Sequence, residues 1–209
     1  MVDDNYFKKH LTESPIMGIF RSLPPEETVA LCERAWSLGV TLVEVPVPDE
    51  EAVPSFLAAK RAAEGRGKHV GAGTITTVEQ LHRVHELGAR FTVAPGLSPE
   101  VARLSQQLKL PHLPGVATSS EIAGAIALGM NWVKAFPAAQ LGPGWIKAQL
   151  GPFPGVNFVA TGGVDAENAA EFLDAGCRGL AVGSAFSHDG AIEMLASTIL
   201  TLRGADHVD

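Results

Sequence analysis

Short apolar runs alternate with longer amphipathic stretches along most of the chain. Eight such runs, rich in residues that favour strands, begin about 20 to 28 residues apart, at 16–20, 41–47, 69–74, 91–95, 112–117, 132–136, 158–161 and 179–182. The stretches between them have helical spacing, as in residues 26–38, where Val29, Cys32 and Trp36 recur near a period of 3.6. Each run and the stretch that follows it therefore predict one strand and one helix.

The ends of the predicted helices carry recognisable signals. Thr76-Thr77-Val78-Glu79 and Ser98-Pro99-Glu100 are typical of helix starts, and glycines at 39, 88, 129 and 176 are placed to end helices. Strands that alternate with helices favour a parallel sheet with right-handed crossovers, and eight units close into a (β/α)₈ TIM barrel. An open doubly wound sheet is the alternative, although the G-x-G-x-x-G turn that often follows its first strand is missing.

We expect a single domain over residues 1–209. Residues 1–14 are predicted to form an N-terminal helix, and residues 204–209 a flexible tail. The length of 209 residues suits a compact barrel, and the 46% of hydrophobic residues suits a soluble globular protein.

Charge and composition exclude several classes of partner. The formal net charge of −7, without a Lys/Arg cluster, indicates no nucleic-acid binding. No apolar run approaches the length of a membrane span, and the N-terminus does not resemble a secretory signal. Cys32 and Cys177 are far apart and are expected to be reduced thiols of a cytoplasmic protein. His82 and His85 lack a third ligand, so no metal is expected.

Lys134 is the most informative residue for chemistry. It lies inside a predicted strand, where an ammonium is costly to bury, and it shares a strand face with Trp132 and Phe136. If that face points into the barrel, desolvation favours the neutral amine, which is a nucleophile. The alternative is a lysine at the barrel rim that reaches solvent or pairs with a carboxylate.

Glu44 is a second ionisable residue within an apolar strand, on the face of Leu42 and Pro46. A buried ion pair with Lys134 is one interpretation, but such pairs are weak sources of stability. A nucleophilic lysine and a carboxyl group that carries protons are also what imine chemistry requires. The pair therefore favours a catalytic site at the carboxyl ends of the strands.

Two glycine turns and one arginine suggest how an anionic substrate is held. The sequences T-G-G-V at 161–164 and G-S at 183–184 follow the last two strands, where barrels of this type commonly bind phosphate through backbone N–H groups. Ordinary strand-to-helix turns are the alternative there. Arg21 follows the first strand and is suited to clamp a carboxylate, unless it is simply a surface arginine.

In combination, these motifs resemble a known family, the class I 2-keto-3-deoxy-6-phosphogluconate (KDPG) and 4-hydroxy-2-oxoglutarate (KHG) aldolases. The resemblance covers about residues 15 to 190 in the family's order. Its matching stretches are V-E-V at 43–45, V-G-A-G-T at 70–74, A-P-G-L at 94–97, P-G-V-A-T at 114–118, V-K-A-F-P-A at 133–138, A-T-G-G-V at 160–164 and V-G-S at 182–184.

The resemblance implies a role for each matching residue. Lys134 corresponds to the Schiff-base lysine and Glu44 to the general acid and base. Substrate contacts are implied for Arg21, Thr74, Pro95 and Thr161, and phosphate contacts for Gly162, Gly163, Gly183 and Ser184. The family is typically a cytoplasmic homotrimer that uses neither metal nor cofactor.

The implied reaction is cleavage of a 2-keto acid, with KDPG giving pyruvate and glyceraldehyde 3-phosphate. KHG is a further candidate substrate, which would give pyruvate and glyoxylate. Pro48 departs from the arginine that many KDPG aldolases carry four residues after the catalytic glutamate, which leaves Arg21 as the predicted anion clamp. The Glu-Val-Pro form is similar to 2-keto-3-deoxy-6-phosphogalactonate (KDPGal) aldolases, whereas Thr161 is similar to the gluconate branch. From the residues alone, a phospho-sugar isomerase or epimerase and a non-catalytic phospho-ligand binder remain open.

Overall fold

In the described part of the chain, nine parallel strands, most of them separated by helices, make up the fold. The computed structural model describes residues 2–183 together with residues 186, 191, 194 and 197. Its strands are β1 (Ile16–Ile19), β2 (Leu42–Pro46), β3 (His69–Gly73), β4 (Thr92–Val93), β5 (His112–Leu113), β6 (Gly115–Val116), β7 (Trp132–Ala135), β8 (Asn157–Thr161) and β9 (Gly179–Val182). Its helices are α1 (Val2–Glu13), α2 (Pro25–Ser37), α3 (Val53–Ala63), α4 (Val78–Glu86), α5 (Pro99–Gln107), α6 (Ser119–Ala127), α7 (Ala138–Leu141), α8 (Pro143–Leu150) and α9 (Ala169–Asp174).

The strands form one sheet in the order β5-β4-β3-β2-β1-β9-β8-β7-β6, and every pairing in it is parallel. The two edge strands, β5 and β6, are separated only by Pro114, so one continuous segment closes the ring. The predicted α/β TIM barrel is thereby confirmed. The fifth predicted strand is observed in two halves because a proline has no N–H group for the ladder.

Alternation along the strands places the predicted faces as expected. On β2, Leu42 belongs to a cluster inside the barrel, whereas Val43 and Val45 belong to the larger cluster beneath the helices. On β7, Trp132 lies in the inner cluster and Val133 in the outer one. Residues two positions after Leu42 and Trp132 therefore point inward.

Helix α1 closes the amino-terminal end of the barrel. Its Phe7 and Leu11 side chains are buried in the inner cluster, where the Phe7 ring meets Phe91 edge-on and lies 6.3 Å from the Trp132 ring. Because one end is filled with apolar side chains, a ligand is expected to enter from the carboxyl ends of the strands.

The predicted helix starts at Thr77 and Ser98 are observed, since each side chain accepts a hydrogen bond from a backbone N–H in its own first turn. No helix in the described part of the chain is long and apolar enough to span a membrane. The single domain over residues 1–209 stays a prediction, and the tail predicted at 204–209 lies outside the described residues.

Candidate active site

A cleft of about 650 Å³ opens at the carboxyl ends of the strands. Eight residues singled out in the sequence line it: Arg21, Thr74, Pro95, Lys134, Thr161, Gly162, Gly163 and Gly183. They come from the ends of six strands or from the turns that follow, so the closed sheet brings together positions up to 162 residues apart in sequence. Ser184, the remaining predicted phosphate contact, lies outside the described residues.

Lys134 lies on the inner face of β7 and is only 4% exposed. Its Nζ atom is 4.8 Å from the centroid of the Phe136 ring, and both side chains line the cleft. Burial lowers the pKa of Lys134, the Glu44 carboxylate opposes that effect, and Arg21 adds to it. The site therefore favours the neutral amine more than water does, as a nucleophile requires.

Glu44 is more completely buried than Lys134. It lies on the inner face of β2 and is 1% exposed. Burial raises the pKa of Glu44, and the positive charges of Lys134 and Arg21 act in the opposite direction. Among the described residues, no group donates a hydrogen bond to either of its carboxyl oxygens. A buried carboxyl without a fixed hydrogen-bond partner can take up and release protons next to a bound ligand.

The turn after β8 has a backbone that suits glycine. Gly162 and Gly163 have φ angles of 92° and 71°, in the left-handed region. A Cβ on Gly163 would lie 2.6 Å from the Cβ of Ala139, and Asn168 donates its Nδ2–H to the Gly163 carbonyl at 2.8 Å. The turn is thus closely packed from behind, and its open side faces the cleft.

Arg21 follows β1 and is exposed at the cleft wall. Of the described residues that line the cleft, Arg21 and Lys134 carry the cationic side chains. Pro48 borders an adjoining groove of about 320 Å³, which also has Arg21 in its wall. Pro48, which replaces the arginine of many KDPG aldolases, therefore lies beside the cleft, and Arg21 remains as the exposed cation of the cleft.

Some residues of the site were assigned no role from the sequence. Gly73 packs against the Glu44 carboxyl group, and Phe136 and Asp165 contribute to the cleft wall. The sequence did contain a signal for Phe136, because it shares a strand face with Lys134. The contact between Glu44 and Gly73, by contrast, depends on the register between β2 and β3. Within the described part of the chain, no three His, Cys, Asp or Glu side chains gather as a metal site.

Comparison with known proteins agrees with this geometry. Residues 7–198 match the family model described as KDPG and KHG aldolase. The chain belongs to this aldolase family. It is 34% identical to a probable 2-dehydro-3-deoxy-6-phosphogalactonate aldolase of Rhizobium meliloti. The match extends over 199 residues and covers 94% of this chain and 93% of the relative. It is also 33% identical over 165 residues to the KHG/KDPG aldolase of Escherichia coli K12, covering 78% of this chain and 76% of that one.

Solved structures show the same likeness. A structure described as native KDPGal matches with a TM-score of 0.79 and 30% identity, over 93% of this chain and 97% of that one. A KDPG aldolase from Legionella pneumophila, with pyruvate captured as a covalent carbinolamine intermediate, matches with a TM-score of 0.78 and 30% identity, over 91% and 93% of the two chains. The resemblance noted in the sequence is confirmed at the level of the family.

Proposed function

We propose that this aldolase works through a Schiff base on Lys134 and cleaves KDPG to pyruvate and glyceraldehyde 3-phosphate. The observation that carries the proposal is a nearly buried lysine in the cleft, with a lowered pKa and an electrostatically coupled carboxyl group at Glu44. The carbinolamine named for the Legionella relative supports the same chemistry. Neither the isomerase nor the non-catalytic binder is what the matching family model describes.

In the proposed mechanism, neutral Lys134 attacks C2 of the keto acid, and the carbinolamine loses water to give a protonated imine. Glu44 removes the proton of the C4 hydroxyl, the C3–C4 bond breaks, and its electrons pass into the imine to give an enamine. The aldehyde leaves as glyceraldehyde 3-phosphate. Protonation of the enamine at C3 and hydrolysis of the imine release pyruvate and return the free amine. Proton transfer by a positioned group typically contributes about 10²–10⁴-fold.

The anionic ends of the substrate have candidate partners around the cleft. We propose that Arg21 binds the carboxylate and that the turns at Gly162, Gly163, Gly183 and Ser184 bind the phosphate. Thr74, Pro95 and Thr161 would form the wall along the carbon chain. A cytoplasmic homotrimer belongs to the same proposal, which carries both features over from the family.

The C4 epimer KDPGal is the second candidate substrate. The Rhizobium meliloti relative is named as a probable phosphogalactonate aldolase. A relative from Escherichia coli K12 is also named as a phosphogalactonate aldolase. It is 32% identical to this chain over 177 residues, which cover 83% of this chain and 84% of the relative. Thr161 supports the gluconate epimer through its similarity to the gluconate branch, and it lines the cleft with a hydroxyl-bearing side chain. If that hydroxyl reads the C4 configuration, Thr161→Val should change the ratio of kcat/KM for the two epimers by about tenfold or more.

The proposed lysine chemistry is tested by trapping. Borohydride reduction with pyruvate, followed by peptide mapping, should place the adduct on Lys134. Lys134→Arg should abolish both the adduct and the release of pyruvate from KDPG or KDPGal, because an arginine stays protonated. Lys147→Arg, on the exposed face of α8, is the matched control and should react normally. A wild-type protein that forms no borohydride-trapped adduct with pyruvate would overturn the mechanism. So would a Lys134→Arg variant that still releases pyruvate from the substrate.

A further inference from the structure

Gln80, in the first turn of α4, joins the two loops that follow β2 and β3. Its Oε1 atom accepts hydrogen bonds from the Thr76 N–H at 2.7 Å, the Thr76 hydroxyl at 3.0 Å and the Thr77 N–H at 3.2 Å. Its Nε2 atom donates to the Pro48 carbonyl at 3.0 Å, 32 residues away in sequence. Beyond the backbone hydrogen bond from the Val47 N–H to the Gly73 carbonyl, at 2.9 Å, one amide group thus links the loops at 47–52 and 74–77.

A second contact between α4 and the loop after β2 is weaker. Arg83, one turn further along α4, forms an ion pair with Glu50. The Glu50 side chain is 83% exposed, and ion pairs at that exposure contribute little because water screens them and the side chains lose freedom. The attachment of this loop to α4 therefore depends mainly on Gln80.

Both loops directly follow residues of the candidate site. Glu44 lies four positions before Pro48, and the Glu44 carboxyl group packs on Gly73 at the end of β3. Thr74, next in the chain, lines the cleft with a φ angle of 64°, in the left-handed region. A threonine stays in that conformation only where its surroundings hold it. The Ile75 N–H donates to the Val93 carbonyl at 3.1 Å directly after Thr74, and the Gln80 hydrogen bonds continue this anchoring from Thr76.

We propose that Gln80 is a positioning residue, which fixes the loops after β2 and β3 against each other beyond the end of the β2–β3 ladder and so holds Glu44 aligned for proton transfer. This rests on the proposed function. The turns assigned to the phosphate, at Gly163 and Gly183, lie on the β8 and β9 side of the cleft, away from the loops that Gln80 joins, whereas Arg21 borders the same groove as Pro48. Loss of the Gln80 link should therefore lower kcat more than it raises KM.

The Gln80→Glu variant isolates this role from the folding of α4. Glutamate serves as well as glutamine in a capping box, so it keeps the acceptor for Thr76 and Thr77. It cannot donate to the Pro48 carbonyl, and its charge repels that oxygen. We expect kcat to fall about 10- to 100-fold, since small misplacements of reacting groups cost that much, with KM within about threefold of wild type.

Gln106→Glu is the matched control. Gln106 also donates its Nε2–H to a backbone carbonyl of a neighbouring loop, that of Leu128, but Leu128 precedes β7 and lies at the opposite end of the barrel from the cleft. This variant should lose the same kind of hydrogen bond and keep wild-type kcat. Thermal unfolding of both variants, followed by circular dichroism, shows whether the two losses affect stability to a similar degree.

Exchange of the pyruvate methyl protons with D₂O, followed by NMR, gives a readout that needs no aldehyde. Exchange requires the imine and a proton carrier, so it should slow in Gln80→Glu in parallel with kcat, while borohydride trapping of pyruvate remains. Wild-type rates of exchange and cleavage in Gln80→Glu overturn this proposal alone. A wild-type protein that neither traps nor exchanges pyruvate overturns the proposed function, and this proposal with it.

Discussion

The Glu44 carboxyl group fills the space that a side chain on Gly73 would need. A Cβ atom built on Gly73 would lie 1.5 Å from Oε1 of Glu44 and 2.4 Å from its Cδ atom. The two residues come from adjacent strands, in which Pro46 is opposite Gly73. Only a glycine at this position leaves the carboxyl group where it lies.

Gly73→Ala should therefore displace Glu44 and slow proton transfer. We expect kcat for aldol cleavage to fall on the order of 100-fold, while borohydride still traps pyruvate on Lys134. Gly155→Ala is the control, since a Cβ there meets nothing within 4 Å. Steady-state kinetics measures the effect, and a Gly73→Ala enzyme with wild-type kcat would show that the position of Glu44 is unimportant.

The position of Gly73 illustrates what a sequence pattern can and cannot predict. Alternation along β2 and β7 predicted that Glu44 shares a face with Leu42, and Lys134 with Trp132, but only the fold shows that these faces point into the barrel. Pairing of Glu44 with Gly73 depends on the register between two strands, which alternation within one strand does not contain. The same holds for the link from Gln80 to Pro48, which exists only once both loops lie side by side.

Local chemistry explains where strand boundaries were misjudged. Residues 112–117 were predicted as one strand from their apolar character, and Pro114 divides them because it lacks an N–H group. Helix starts were easier to predict, because Thr77 and Ser98 accept hydrogen bonds within their own first turns. Interactions within a few residues are legible in sequence, whereas those between strands need the fold.

The pH dependence of imine formation should follow the pKa of Lys134. Burial lowers that pKa below the 10.5 of an ordinary lysine, so the trapping rate should rise with pH through a midpoint lower than 10.5. The charge of Glu44 raises the pKa of Lys134 and that of Arg21 lowers it. Glu44→Gln should therefore shift the midpoint down, and Arg21→Gln should shift it up.

The measurement is the initial rate of borohydride-trapped pyruvate adduct as a function of pH, at saturating pyruvate for each variant. Lys147→Arg provides the reference profile. Shifts of the same sign in the two variants would contradict the electrostatic coupling between Lys134 and its charged neighbours.

Gly163→Ala should weaken binding of the phosphorylated end of the substrate. A Cβ there would lie 2.6 Å from the Cβ of Ala139, on a backbone with φ of 71°, so the turn must shift. We expect KM for KDPG to rise about tenfold or more, while trapping of unphosphorylated pyruvate stays near wild type. Competition by inorganic phosphate should weaken in parallel, and unchanged inhibition would move the phosphate site elsewhere.

Mild acid should loosen the closed end of the barrel, where α1 meets β3. The His10 and His69 rings lie 4.4 Å apart, and the Tyr6 hydroxyl is 2.8 Å from Nδ1 of His69. Burial, with the charges of His10, Arg90 and Lys9, lowers the pKa of His69 from 6.5 to about 4. The unfolded chain therefore binds more protons between these values, and the free energy of unfolding should fall as the pH drops from 6.5 to 4.

His69→Gln tests this account by removing one of the two adjacent imidazoles. The decline in the free energy of unfolding, followed by urea titration between pH 7 and 4, should be shallower than in wild type. It should not disappear, because His112 on β5 is buried and its pKa is also lowered to about 4. That residue alone can contribute on the order of 3 kcal/mol across the same interval. His82→Gln, on the exposed side of α4, is the control and should show the wild-type decline in the free energy of unfolding. An equal decline in wild type, His69→Gln and His82→Gln would mean that His69 plays no part in the acid response.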